Sequence, residues 1–110
     1  MVLQASALRV LRRLRHVRLN VQAAYLEIGH VAWRTKSNLD QGIAALAQVV
    51  DPKMPVNVNT SWGYWRLSQL YGLKGDVAQQ KKYLAALDTS GVEKGSLILK
   101  EIQGQTAAAQ

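Results

Sequence analysis

An all-α fold is predicted for this chain by three observations. Apolar residues recur at three- and four-residue spacing along most of its 110 residues, the period of a helix with one buried face. The only two prolines, Pro52 and Pro55, stand close together, so the rest of the chain is free of helix breakers. Clusters of Gly, Asn, Asp and Ser separate the periodic stretches at short intervals, and the one strand candidate, "VNVN", is short and polar. With 48% hydrophobic residues, one domain with a modest core is expected. The absence of cysteine excludes disulfide and thiolate chemistry. The longest apolar runs fall well short of the roughly 20 residues that cross a bilayer, so no transmembrane helix is predicted.

The elements follow in order. In "ASALRVLRRLRHVRLN", Leu3, Ala7, Val10, Leu11, Leu14, Val17 and Val21 occupy about a third of the helical wheel, opposite Arg9, Arg12, Arg13 and His16. This predicts a basic amphipathic helix over residues 1–19, with a break near 18–20 where Asn20 can cap a new helix. "VQAAYLEIGHVAWR" continues as helix with Tyr25, Ile28, Gly29 and Ala32 on one face. "TKSNLD" supplies turn residues, and Ser37 with Asp40 has the pattern of a capping box. Ile43, Leu46, Ala47 and Val50 carry the next helix, and "DPKMPVNVNT" is a loop. Tyr64, Leu67, Ser68 and Tyr71 share a face of the following helix, which Gly75 ends by providing the left-handed residue. "VAQQKKYLAALD" forms its partner, with Lys81 and Lys82 outward. Ser90 and Glu93 form a second capping-box pattern ahead of "KGSLILKEIQ", and "GQTAAAQ" reads as a loose tail. The expected organisation is thus hairpins at about 21–51 and 61–88, a capping helix at about 92–102 closing a domain of residues 20–103, and a tail over 104–110.

The net charge of +7 is unevenly placed. Residues 1–26 contain five arginines and no acid, whereas nine basic residues face seven acidic ones from Glu27 onward. The basicity therefore belongs to the N-terminal segment, and it implies an acidic protein surface, an anionic membrane or nucleic acid as its neighbour.

No constellation of residues points to catalysis. Glu27 and His30 form a Glu-x-x-His pair, half of a di-iron site, but the second copy is missing because His16 has no glutamate three before it. "GLKGD" has neither the spacing nor the ending of a phosphate-binding loop. No metal, cofactor or enzymatic activity is expected. Trp62, Tyr64, Trp65 and Arg66 suggest base stacking, yet helical spacing assigns Tyr64 and Tyr71 to packing. Trp62 and Trp65 are left as candidates for a partner interface, where tryptophan is a common anchor.

The stretch "YWRLSQLYGLKGDVAQQKKYLAAL" resembles the tetratricopeptide repeat. Tyr64, Leu67, Ser68 and Tyr71 stand where that family has aromatic, leucine, small and aromatic residues, and Gly75-Asp76 matches its inter-helix turn. Tyr83 and Ala86 match its second helix, while Gln79 departs from the small residue expected there. A weaker copy, "AYLEIGHVAWRTKSNLDQGIAALAQVVDP", matches at Tyr25, Ile28 and Gly29, and again at Gly42, Leu46, Val49 and Pro52. The two copies lie 39 residues apart, against a usual period of about 34. The resemblance implies helical hairpins stacked with capping helices at each end, and a role in protein–protein interaction.

The function expected from these readings is a non-catalytic interaction module, an adaptor or an accessory subunit of a larger assembly. Arg9, Arg12 and Arg13 would meet an acidic partner surface. The alternatives are an RNA-binding helical protein that docks the Arg-rich helix on phosphates, and a helical protein peripheral to an anionic membrane. An intracellular setting is expected. The acid-free basic start is similar to a mitochondrial targeting sequence, with mitochondria as one such setting.

Overall fold

The computed structural model describes residues 20–88, 92 and 95–109, with side chains up to Gln105. It is all-α. The described part of the first helix, α1, covers 20–35. It is followed by α2 (Leu39–Val49), α3 (Val58–Lys74), α4 (Val77–Ala86) and α5 (Leu97–Ala109). Among the described residues no strand occurs, and no helix is long and apolar enough to cross a membrane. The basic segment with Arg9, Arg12 and Arg13, and the Ser90–Glu93 capping pattern, lie outside the described residues.

Contacts along the helices fix their directions. Going down α1 and up α2, Ala32 lies beside Gly42, Gly29 beside Leu46, and Gln22 hydrogen-bonds the Val49 carbonyl. That order makes α1 and α2 antiparallel. In the second pair Gly72 faces Gln80, Tyr71 stacks on Tyr83 at 5.6 Å and 6°, and the Ser61 hydroxyl reaches the Asp88 carbonyl. The α2–α3 contacts run from the Lys74–Asp40 ion pair through Gly42–Leu70 to Val49–Gly63.

Leu46, Val49, Leu67 and Leu70 are fully buried with Ala32 in one core, and Tyr25, Leu26, Trp33, Ile43, Tyr71 and Tyr83 pack around it. The face expected from Leu67, Ser68 and Tyr71 is therefore the packed one, with Tyr64 and Tyr71 half-buried towards Tyr83. No residue of α4 is fully buried, so this aromatic trio is the main grip of α4 on α3.

Several boundaries differ from expectation. The Ser37–Asp40 box does not form: α2 is capped by Asn38 in the left-handed region (φ 54), and the Ser37 hydroxyl pairs with Thr35 instead. Asn tolerates that backbone better than most residues, so the chain turns one residue later. Helix α3 starts at Val58, inside the expected loop, because Asn57 and Thr60 form a reciprocal capping box. Gly75 ends α3 with φ 80, as expected, and Asp76 caps α4 through the Gln79 amide. Helix α5 runs to Ala109 rather than ending near 102. The alanines and glutamines of the expected tail have high helix propensity, and a sequence without a periodic apolar face can still extend an existing helix.

The loop before α3 is held by a buried amide that periodicity does not reveal. Gln22 has no exposed surface. Its Nε2 donates to the carbonyls of Val49 and Pro55, and its Oε1 accepts from the Asn57 Nδ2 at 3.0 Å. All three polar functions of the side chain are thus satisfied, as burial requires. The buried face of α1 is consequently Gln22, Gly29 and Ala32, flanked by Tyr25, Leu26 and Trp33. Ile28, expected among the packing residues, lies 41% exposed because it sits one step around the helix from Gly29. Ala86, also expected to pack, is exposed at the end of α4, where the chain turns away.

Close approach makes Gly42 informative. A methyl group on Gly42 would lie 2.5 Å from the Ala32 Cβ and 2.9 Å from a Leu70 methyl. In an isolated helix Gly→Ala stabilises by about 1 kcal/mol. Here Gly42→Ala should destabilise by about 1–3 kcal/mol through overpacking, and Leu67→Ala by about 2–5 kcal/mol through the cavity it leaves. Urea unfolding measures both, and a stabilised Gly42→Ala would contradict the α1–α2–α3 packing.

Candidate functional site

The site is built around Arg66, the largest fully buried side chain (1% exposed). Helical spacing sets its neighbours on α3: Trp62 one turn before and Gln69 three residues after. Helix α1 contributes His30 and Trp33, and α5 contributes Glu101. The guanidinium lies 3.6 Å from the centre of the Trp33 ring and 5.1 Å from that of Trp62, positions that favour a cation. Its Nη2 donates to Glu101 Oε1 at 2.9 Å, and its Nη1 to Glu101 Oε2 and to Gln69 Oε1. This is a two-pronged pairing of the planar fork with a carboxylate. Its Nε donates to His30 Nδ1 at 3.3 Å. The Trp65 indole N–H also donates to Glu101 Oε2.

Beside this cluster lies a groove of about 560 Å³, walled by Leu26, Glu27 and His30 of α1, Val58 and Trp62 of α3, and Leu97 of α5. Arg66 and Glu101 reach its floor. Leu97 is 76% and Val58 48% exposed at its rim, so an apolar surface is presented to solvent next to a polar base.

The electrostatics follow from burial and neighbours. Desolvation, then the Arg66 cation, holds the His30 imidazole below its ordinary value, with Arg34 adding to the effect and Glu27 and Glu101 opposing it. Burial alone would raise the Glu101 carboxyl. The hydrogen bonds from Arg66 and Trp65 and the Arg66 charge outweigh it and hold the group below its ordinary value. A neutral His30 accepting at Nδ1 fits this arrangement, because an imidazolium would lose its acceptor and confront Arg66.

The structure separates the two tryptophans proposed as partner anchors. Trp62 lines the groove, whereas Trp65 is 7% exposed and donates its N–H to Glu101, so of the two only Trp62 lies at the open groove. The Glu27–His30 pair lies at this groove rather than on an isolated surface, and among the described residues no three His, Cys, Asp or Glu side chains form a metal-binding group. Sequence reasoning missed Arg66 as a hub, and also Trp33, Gln69 and Glu101. The available signal was Arg66 beside Trp62 and Trp65, with Glu101 one of only two acids in the C-terminal segment after Asp88. Comparison with protein-family models, with curated proteins and with solved structures returns no match.

A folded-state pKa below the unfolded one stabilises the fold at high pH and is lost as pH falls. The His30 contribution should be complete above about pH 6.5, its ordinary value, and decline below it. The Glu101 contribution declines in a second, more acidic window. Melting temperatures of the wild type should therefore drop between about pH 7 and pH 5, and those of His30→Gln, which keeps an acceptor but does not titrate, should drop less. Parallel pH profiles for the two proteins would contradict the placement of His30.

Proposed function

We propose that this chain is a non-catalytic protein–protein interaction module of tetratricopeptide type, serving as an adaptor or accessory subunit. The observation that carries the reading is the groove whose rim leaves Leu97 and Val58 in water beside Trp62. Apolar groups exposed together around an aromatic anchor are characteristic of a docking surface. The helix directions agree with it. Helix α1 contacts α3 from Gln22–Asn57 to His30–Arg66, so these two helices run in the same sense, as the first helices of successive repeats do. The polar functions of Arg66 and Glu101 face one another rather than a reacting centre, which supports a binding surface over a catalytic one. Glu27 at the rim favours a partner segment that brings an aliphatic side chain with a basic neighbour.

A photo-reactive residue at position 59, beside the groove, captures the partner in cells. Capture should fall at least tenfold in Leu97→Glu and in Val58→Glu, both of which alter exposed positions and should keep the wild-type helical spectrum. Undiminished capture by both variants would overturn the assignment of the groove.

A further inference from the structure

A second apolar surface lies on α1, on the flank away from the Trp62 groove. Val21 (38% exposed), Ile28 (41%) and Val31 (37%) form a stripe with exposed Ala24 and Thr35, at spacings of three and four. The stripe borders a shallow, largely apolar groove of about 490 Å³ between α1 and α2. The packing face of α1 is a different one, Gln22, Gly29 and Ala32, so the stripe is not part of the core. The Thr35 hydroxyl donates to the Val31 carbonyl at 2.8 Å, so covering that residue buries no unsatisfied group.

Two charges edge the stripe, Glu27 and Arg34, and both are exposed. Neither forms an ion pair among the described residues. They stand seven residues apart, about 10.5 Å along one helix, which is too far for them to meet each other. In heptad terms Val21, Ile28 and Thr35 take a, Ala24 and Val31 take d, and both charges take g. A two-fold axis across a pair of helices keeps each flank on its own side, so antiparallel copies bring g against g. An acid and a base two turns apart therefore complement the same two residues on a second copy, in reverse order.

We propose that this face is a homodimer interface, in which α1 of one copy lies antiparallel on α1 of the other about a two-fold axis between Gly29 and His30. Ile28 then packs on Val31 in the two central layers, and Ala24 on Thr35 in the two outer ones. Glu27 of each copy meets Arg34 of the other, so the interface carries two ion pairs related by symmetry. It is built from residues 21–35 and from the groove that they share with α2, where Gln41 gives a polar rim.

Charge selects this register from those that the stripe allows. Sliding the copies by one heptad keeps apolar layers, with Ile28 on Ala24 and Val21 on Val31, but sets Glu27 against Glu27 of the other copy. A parallel pair brings g against e. Glu27 would then face Ala32, which is buried against Gly42, and would pair with nothing. Size agrees with charge, since the bulkier aliphatics meet nearest the axis and the smaller residues at the ends. The dimer also leaves the Trp62 groove open, because Leu26 and His30, its wall on α1, lie on the opposite flank of the helix.

Light scattering on the size-separated full chain should give twice the chain mass, and Ile28→Asp, at an exposed position, should give a monomer with an unchanged helical spectrum. Exchanging the charges tests the pairing. Glu27→Arg and Arg34→Glu alone each create two like-charge contacts and should weaken dimerisation about tenfold in sedimentation equilibrium, while the double variant Glu27→Arg/Arg34→Glu should restore it. Because the chain has no cysteine, introduced thiols report the register. Positions 24 and 35 lie about 16 Å apart on one helix, too far to bond within a chain. Oxidised Ala24→Cys/Thr35→Cys should therefore migrate as a covalent dimer, and Ala24→Cys alone should remain uncross-linked. A wild type that stays monomeric at the highest concentration tested, a dimer that survives Ile28→Asp, a double charge exchange that fails to restore association, or efficient cross-linking of Ala24→Cys alone would each overturn the proposal.

Discussion

The buried guanidinium of Arg66 is the constraint on which the arrangement of the helices depends. Removing an ion from water costs several kcal/mol even after relaxation, so this position can exist only where the surroundings replace the lost solvation. Three elements do so together: Glu101 from α5, Trp33 and His30 from α1, and Gln69 with Trp62 from α3 itself. Hydrogen bonds to charged groups contribute about 1.5–3 kcal/mol each and a desolvated cation–π contact about 2. Those gains are comparable with the desolvation cost, so the cluster adds little net stability. Its effect is on geometry, since a fork bonded to one carboxylate fixes where α5 sits and no shift of that helix keeps both bonds.

Gln22 plays the same part at the other end of α1. Aliphatic contacts among Leu46, Val49, Leu67 and Leu70 supply the bulk of the burial but tolerate sliding, whereas an amide with three partners does not. One polar anchor fixes the loop before α3 and the other fixes α5. Between them the walls of the groove are held open at Leu26, Val58, Trp62 and Leu97. The shape of the groove is thus a consequence of how the buried polar groups are satisfied.

Much of the helical framework was legible in the sequence because it is written locally. Gly75 and Asp76 mark the α3–α4 turn through backbone preference and capping, and Leu67, Ser68 and Tyr71 mark a face through spacing alone. The α2 cap was misread because Ser37 and Asn38 both suit the position, and the left-handed turn selected Asn38. Ile28 was misplaced because a wheel drawn from hydrophobicity alone gives no weight to Gln22, whose burial rotates the packing face. The Arg66 cluster was illegible for a different reason. Its partners lie 33 and more residues away along the chain for Trp33, His30 and Glu101, and no local period links a charge to a partner on another helix. Buried charges are rare, so an arginine next to tryptophans is read as surface until the tertiary contacts are known.

Native-state amide exchange on Glu101→Gln tests the role of the cluster most directly, because it reports each helix separately. Glutamine keeps the size of the side chain and one acceptor but removes the charge opposite Arg66. If the pairing fixes α5, exchange across the amides of 100–105 should accelerate about ten- to a hundredfold, in line with losing about 1.5–3 kcal/mol, while the core amides around Leu46 and Leu67 keep most of their protection. Unchanged protection in α5, or an equal loss in every helix, would contradict the account.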